Sequence, residues 1–175
     1  AAEGFKGPEE AFEGRAGFFH AYAPDPDPAR ATAGLGTSWE TMRLGVKPYP
    51  SCRYSHAALD GLTALMREHA FEAEDVGSVE IGLSEVGWQI IGDPEDSKHN
   101  PDSIVAGQFS MPFCAAVVLR EGGMVWDDYA KHISDTETLA LCRRIKTVVD
   151  ERAEAAFPAS MSGSVRITTG SETYE

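Results

Sequence analysis

A chain of 175 residues with 42% apolar and 25% charged side chains has the composition of one ordinary globular domain, not of a disordered or fibrous segment. Its net charge of -13 argues against a partner that is nucleic acid or an anionic membrane surface, because both demand clustered Lys and Arg. The three cysteines, Cys52, Cys114 and Cys142, are odd in number and widely spaced, so they suggest neither a disulfide framework nor a Cys-x-x-Cys site and fit a reducing cytoplasm.

The first residues, 1–14, carry acids where a signal peptide would carry a basic and then an apolar run, and no later stretch approaches the ~20 apolar residues of a membrane span. Residues 8–22 open on Pro8-Glu9-Glu10 and space Ala11, Phe12, Ala16, Phe19 and Ala21 as an amphipathic helix would. Prolines, aspartates and then Gly34 and Gly36 make 23–38 a loop. Met42, Leu44 and Val46 alternate with polar residues or glycine and predict a short strand, ended by Pro48 and Pro50, which cannot donate to a ladder.

From Ser51 to Glu68 the residues Ala58, Leu59, Leu62, Leu65 and Met66 follow a helical period, the clearest in the chain. Val79, Ile81 and Leu83 alternate as a strand, with Trp88–Ile91 as its extension past Gly87, and a polar loop is expected through Asp102. Helices are predicted over 103–109, from Pro112 to Arg120 with Gly122-Gly123 as terminator, over 126–132 and over 136–144. Strands at 145–149 and 163–169 follow, the second turning at Thr169-Gly170-Ser171 into a return strand. Strands separated by helices, with a terminal hairpin, predict an α+β two-layer sandwich: one mostly antiparallel sheet with helices on one face, forming a single domain over 1–175. Because residue 1 is Ala rather than Met and the last strand is so short, the chain is expected to be part of a longer protein.

Residues 47–56 read Lys-Pro-Tyr-Pro-Ser-Cys-Arg-Tyr-Ser-His and concentrate two cations, two phenols, a thiol and an imidazole at a strand-to-helix junction of an acidic chain. Such junctions display functional groups on a rigid frame, and a helix start adds free N–H donors for a carboxylate. Lys47, Arg53 and His56 are therefore candidates to receive an anion. The plainer account of the same residues is surface ion pairing for Lys47 and Arg53 and half-buried packing for Tyr49, Tyr54 and His56. The other histidines, His20, His69, His99 and His132, are scattered singly, so no metal site is expected. A nucleophile elbow, a phosphate loop and a dinucleotide fingerprint are all missing from the sequence.

The segment from Lys47-Pro-Tyr-Pro through His56 to Asp60 resembles the Lys-x-Tyr-Pro…His…Asp block of the MmgE/PrpD family. Gln108-Phe109-Ser110-Met111-Pro112-Phe113, followed by an Ala/Val helix and Gly122-Gly123, is similar to the family's Gln-Phe-Ser-Leu-Pro-Tyr block, and Gly7-Pro…Glu13-Gly14…Gly17-Phe18 matches a weaker third. The resemblance implies the smaller α+β lid of a cytoplasmic, homodimeric two-domain enzyme that uses no cofactor and no metal. An all-helical domain would complete the site.

Family activities include 2-methylcitrate dehydration, cis-aconitate decarboxylation and iminodisuccinate epimerisation, all at a carbon beside a carboxylate. On that pattern Lys47 and His56 are the catalytic pair, Lys47 facing carbanion-like charge for which one fixed donor is worth ~3 to 4 kcal/mol in comparable sites. Arg53 is expected to clamp a carboxylate, with Tyr49, Cys52 and Ser110 as further contacts to a small di- or tricarboxylic acid. Decarboxylase-type members carry histidine where this chain has Cys52, and Phe113 replaces the block's tyrosine; losing a phenol removes a proton donor, which tells against decarboxylation and leaves dehydration, as in a 2-methylcitrate dehydratase-like lyase, or isomerisation of a related acid. The alternative is a non-catalytic module that grips an anion or assembles subunits with the same junction.

Overall fold

The computed structural model describes residues 3–4 and 6–175, and the chain divides into two compact units, Ala1–Val46 and Lys47–Glu175. In the first unit the helix predicted over 8–22 contracts to α1, Phe18–Tyr22. Gly14 and Gly17 explain the contraction: each turns back onto a nearby carbonyl, of Glu10 and of Gly14 respectively, and a Cβ at either would meet backbone within 3 Å. The predicted loop holds one short helix, α2, Ala29–Thr32.

The strand predicted at Met42–Val46 does not form. Glu40–Arg43 is a 3-10 turn, and Val46 is 95% exposed. Alternation fits a strand only where a ladder receives it, and among the described residues no strand pairs with this segment.

In the second unit, α3, His56–His69, buries Ala58, Leu59, Leu62 and Leu65, as its period predicts, and closes on Ala70 in the left-handed region at φ 53°. Then come β1, Val76–Leu83; α4, Glu85–Ile91; α5, Glu95–His99; α6, Ile104–Gln108; and α7, Met111–Glu121. The expected extension of β1 is helical instead, because Ser84 caps α4 by accepting from the Gly87 amide at 3.3 Å. The chain continues through α8, Asp128–His132; α9, Thr136–Cys142; β2, Ile145–Val149; α10, Glu151–Ala156; β3, Ser164–Thr169; and β4, Glu172–Tyr174. Gly170, at φ 60°, makes the last hairpin turn.

The sheet has four strands in the order β2-β1-β3-β4. Its β1–β3 and β3–β4 pairs are antiparallel, and β1–β2 is parallel because α4 to α9 cross between them. This is an α+β fold with a mostly antiparallel sheet. Val79, Ile81, Ile145, Val165 and Ile167 point into the core, while Lys146 and Arg166 stand exposed on the opposite face beside Glu80. Every residue from Met111 to Leu119 is buried, so α7 is a core helix, packed against α3, α9 and β2. Among the described residues no helix is long and apolar enough to cross a membrane.

Candidate active site

The loop entering α3 is built around its own carbonyls. Pro48 and Pro50 keep 47–52 out of regular structure, leaving polar backbone groups that must find partners elsewhere. The Pro50 carbonyl accepts from the Gln108 side-chain amide at 3.2 Å and from the Tyr129 hydroxyl at 2.9 Å. The Cys52 amide donates to the Gln108 carbonyl at 3.0 Å. The segment around Gln108 thus grips the one around Ser51 from both sides of the peptide chain.

Beneath the loop, Ser51 and Ser55 share a hydroxyl contact of 2.8 Å, and Ser55 also donates to the Cys52 carbonyl. Above it, the Lys47 ammonium donates to the Ser51 carbonyl at 3.0 Å, which curls the exposed lysine over the turn. Arg53 is exposed. Among the described residues neither cation forms a salt bridge, although the chain carries 28 acids. The plainer account, surface ion pairing, does not describe them.

His56 is 2% exposed, with Nε2 3.4 Å from the Ser51 carbonyl and Nδ1 buried without a hydrogen-bond partner among the described residues. Burial lowers its pKa, and the nearby Arg53 and Lys47 push the same way. The ring is therefore neutral and carries its proton on Nε2, facing the carbonyl. The Tyr49 ring meets His56 edge-on at 5.4 Å, and its hydroxyl donates to Asp60 at 2.8 Å. Burial raises the phenol's pKa, with Asp60 adding to the shift, so Tyr49 keeps its proton at neutral pH.

Ser110 is 1% exposed and is the N-cap of α7: its oxygen accepts from the Phe113 amide and its hydroxyl donates to the Lys98 carbonyl at 2.5 Å. Lys98 falls in a stretch the sequence predicts as a polar loop. It is half-buried and donates to the Ile90 carbonyl at 2.8 Å. Burial lowers its pKa. No motif marks Lys98, and only the fold brings its carbonyl to Ser110. Cys114 and Cys142 are buried and their thiols pushed up to about 12, which leaves half-buried Cys52 as the accessible one.

A concavity of about 340 Å³ on the outer sheet face, among Glu80, Asp150, Arg152, Arg166 and Glu175, lies away from this loop and is already ion-paired internally. The Lys47–His56 loop presents its cations on open surface. A family model described as the MmgE/PrpD C-terminal domain matches residues 49–175. The chain belongs to the MmgE/PrpD family. Both the loop from Tyr49 onward and the Gln108–Phe113 segment fall inside the match, Lys47 lies two residues before it, and the weaker opening block lies outside. No curated protein matches the chain. The two MmgE/PrpD-like blocks, 58 residues apart at Pro50 and Gln108, are one hydrogen-bonded structure.

Proposed function

We propose that this chain is the lid of a cofactor-independent lyase or isomerase of the MmgE/PrpD type, acting on a small di- or tricarboxylic acid in the manner of a 2-methylcitrate dehydratase. The observation that carries the reading is the joining of the two family blocks into one loop whose exposed cations have no carboxylate partner among the described residues. Such cations are available to a substrate's carboxylates.

In a dehydration, a base removes the proton beside a carboxylate, the C–H electrons form the C=C bond, and the C–O bond breaks as the hydroxyl leaves as water. The base and the remaining substrate contacts come from an all-helical domain of the same protein, in a homodimer. Lys47 faces the negative charge that develops on the adjacent carboxylate, and Arg53 clamps a second carboxylate. Cys52 and Tyr49 border the substrate. His56 acts through Lys47, since its imidazole and the ammonium meet the same Ser51 carbonyl; it is a positioning residue. Ser110 serves as the cap that fixes the gripping segment.

The test is steady-state kinetics of the full-length protein on a polycarboxylate panel, read by double-bond absorbance and carbon dioxide release. Lys47→Ala should lower kcat/KM by at least ~100-fold with little change in Tm, whereas Arg53→Ala should act mainly on KM. Near-normal efficiency of Lys47→Ala would remove the lysine from catalysis.

A further inference from the structure

At the other end of α7, about 16 Å from its Ser110 cap at ~1.5 Å per residue, three ligand-type side chains converge. Gly122, at φ 73°, ends α7 in the left-handed region and sends the chain back through 123–127 into α8. That return sets His132 and Asp128 of α8 beside Glu121, the last residue of α7. One ligand atom from each of Glu121, Asp128 and His132 lies within 4.8 Å of the others.

His132 is 1% exposed, and hydrogen bonds outside this trio fix its tautomer. Thr138 has a single hydroxyl proton, and Asp135, as a carboxylate, can only accept it, at 2.8 Å. Arg120 donates into one of the hydroxyl's lone pairs at 2.7 Å. The remaining lone pair faces His132 Nδ1 at 2.8 Å, so Nδ1 must carry a proton and donate it. Nε2 then points at the Glu121 carboxylate oxygen 3.0 Å away. With a proton on Nε2 the contact is an imidazolium–carboxylate pair; with a metal ion in the proton's place, the same two atoms are its ligands. An imidazole that donates its far N–H to an outer partner while aiming its other nitrogen at a carboxylate is the usual arrangement of a metal-bound histidine.

We propose that Glu121, Asp128 and His132 bind a divalent cation of the zinc class, which clasps the end of α7 to α8. With bonds of ~2.0 to 2.2 Å, a tetrahedral ion needs ligand atoms ~3.3 Å apart, so the His132–Glu121 spacing already suits it and Asp128 closes by a small side-chain rotation. The Val125 amide, donating to Asp128 at 2.7 Å, steadies that carboxylate. Water completes the coordination. The Lys131 ammonium, bonded to Glu121, is the competing cation, and its exposed side chain is free to swing away.

The experiment titrates the chelator-treated 175-residue chain with Zn2+ by calorimetry and with Co2+ by visible absorption. One equivalent should bind with micromolar or tighter Kd. Asp128→Asn and Glu121→Gln should each weaken binding at least ~10-fold, and Thr138→Val, which removes no ligand, by about 10-fold. Lys131→Met should tighten it several-fold. Circular dichroism checks that each variant is folded, and half-exposed Asp128 keeps the test decisive if changes at His132 do not fold. Binding only at millimolar metal, binding indifferent to Asp128→Asn, or an imidazole with both nitrogens protonated by NMR at saturating Zn2+ would each overturn the site.

Discussion

A buried histidine with one nitrogen unpartnered is a cost that packing alone does not explain. Among the described residues His56 Nδ1 has no hydrogen-bond partner, and its Nε2 contact is long at 3.4 Å, so an apolar residue of similar size would lose little. His56→Leu should therefore leave Tm within a few degrees of the parent value or raise it, while kcat/KM of the full-length protein falls at least ~10-fold as Lys47 loses its support. A large Tm loss with activity per folded molecule unchanged would make His56 structural only. The sequence shows which residues gather in the loop, because their types and spacing are local. It does not show that His56 and Ser110 are buried and Lys47 exposed, since that depends on Gln108 and Tyr129, which reach Pro50 from 58 and 79 residues away. Lys98 is illegible for the same reason: nothing near it in sequence records that its carbonyl receives the Ser110 hydroxyl.

Helical period and strand alternation located α3, α7, β1, β2 and β3, whose apolar faces meet a core, and they failed where pattern and environment part. Met42, Leu44 and Val46 alternate as a strand would and remain exposed, whereas Trp88–Ile91 continue the apolar run of β1 but obey the Ser84 cap. The helix α10 was missed although its cap is strong: Asp150 accepts from the Arg152 and Ala153 amides at 2.8 and 2.9 Å and from the Ser164 hydroxyl at 2.8 Å. The same carboxylate covers Gly82, where a Cβ would lie 2.3 Å from the Ser164 oxygen, so cap, strand and glycine depend on one another. The Ala153 amide foremost, then Ser164, lowers the pKa of Asp150. A folded-state pKa below the unfolded one adds stability that is present above the ordinary aspartate range near ~3.9 and is lost as the pH falls through the depressed value. Asp150→Ala should cost about 1 kcal/mol at pH 7, and the gap to the parent should narrow below pH ~4. Urea denaturation at both pH values reads it; a gap that widens in acid would contradict the assignment.

At the scale of the whole molecule, the α+β class follows from the order of elements, but the strand order does not. Sequence offers no marker that β2 pairs parallel to β1 on the side away from β3; the α4-to-α9 crossover with buried α7 at its centre decides it. That arrangement also decides what the chain can do by itself. Its helices cover one sheet face, the opposite face is charged, and the Lys47–His56 loop lies on open surface rather than in a closed cleft. Cations in open water are screened, and a bound carboxylate there is neither desolvated nor held against a base, so the two largest sources of rate, fixed electrostatics in a dry site and positioning, are both missing. The net charge of -13 further weakens encounter with an anion. Purified alone, the 175-residue chain should show no turnover of any polycarboxylate above the uncatalysed rate, while the full-length protein shows turnover that Lys47→Ala abolishes. Matched assays on the same panel separate the outcomes. Turnover by the chain alone that Lys47→Ala removes would place the whole site within these residues, and an inactive full-length protein that still binds a tricarboxylate would favour an anion-gripping module over an enzyme.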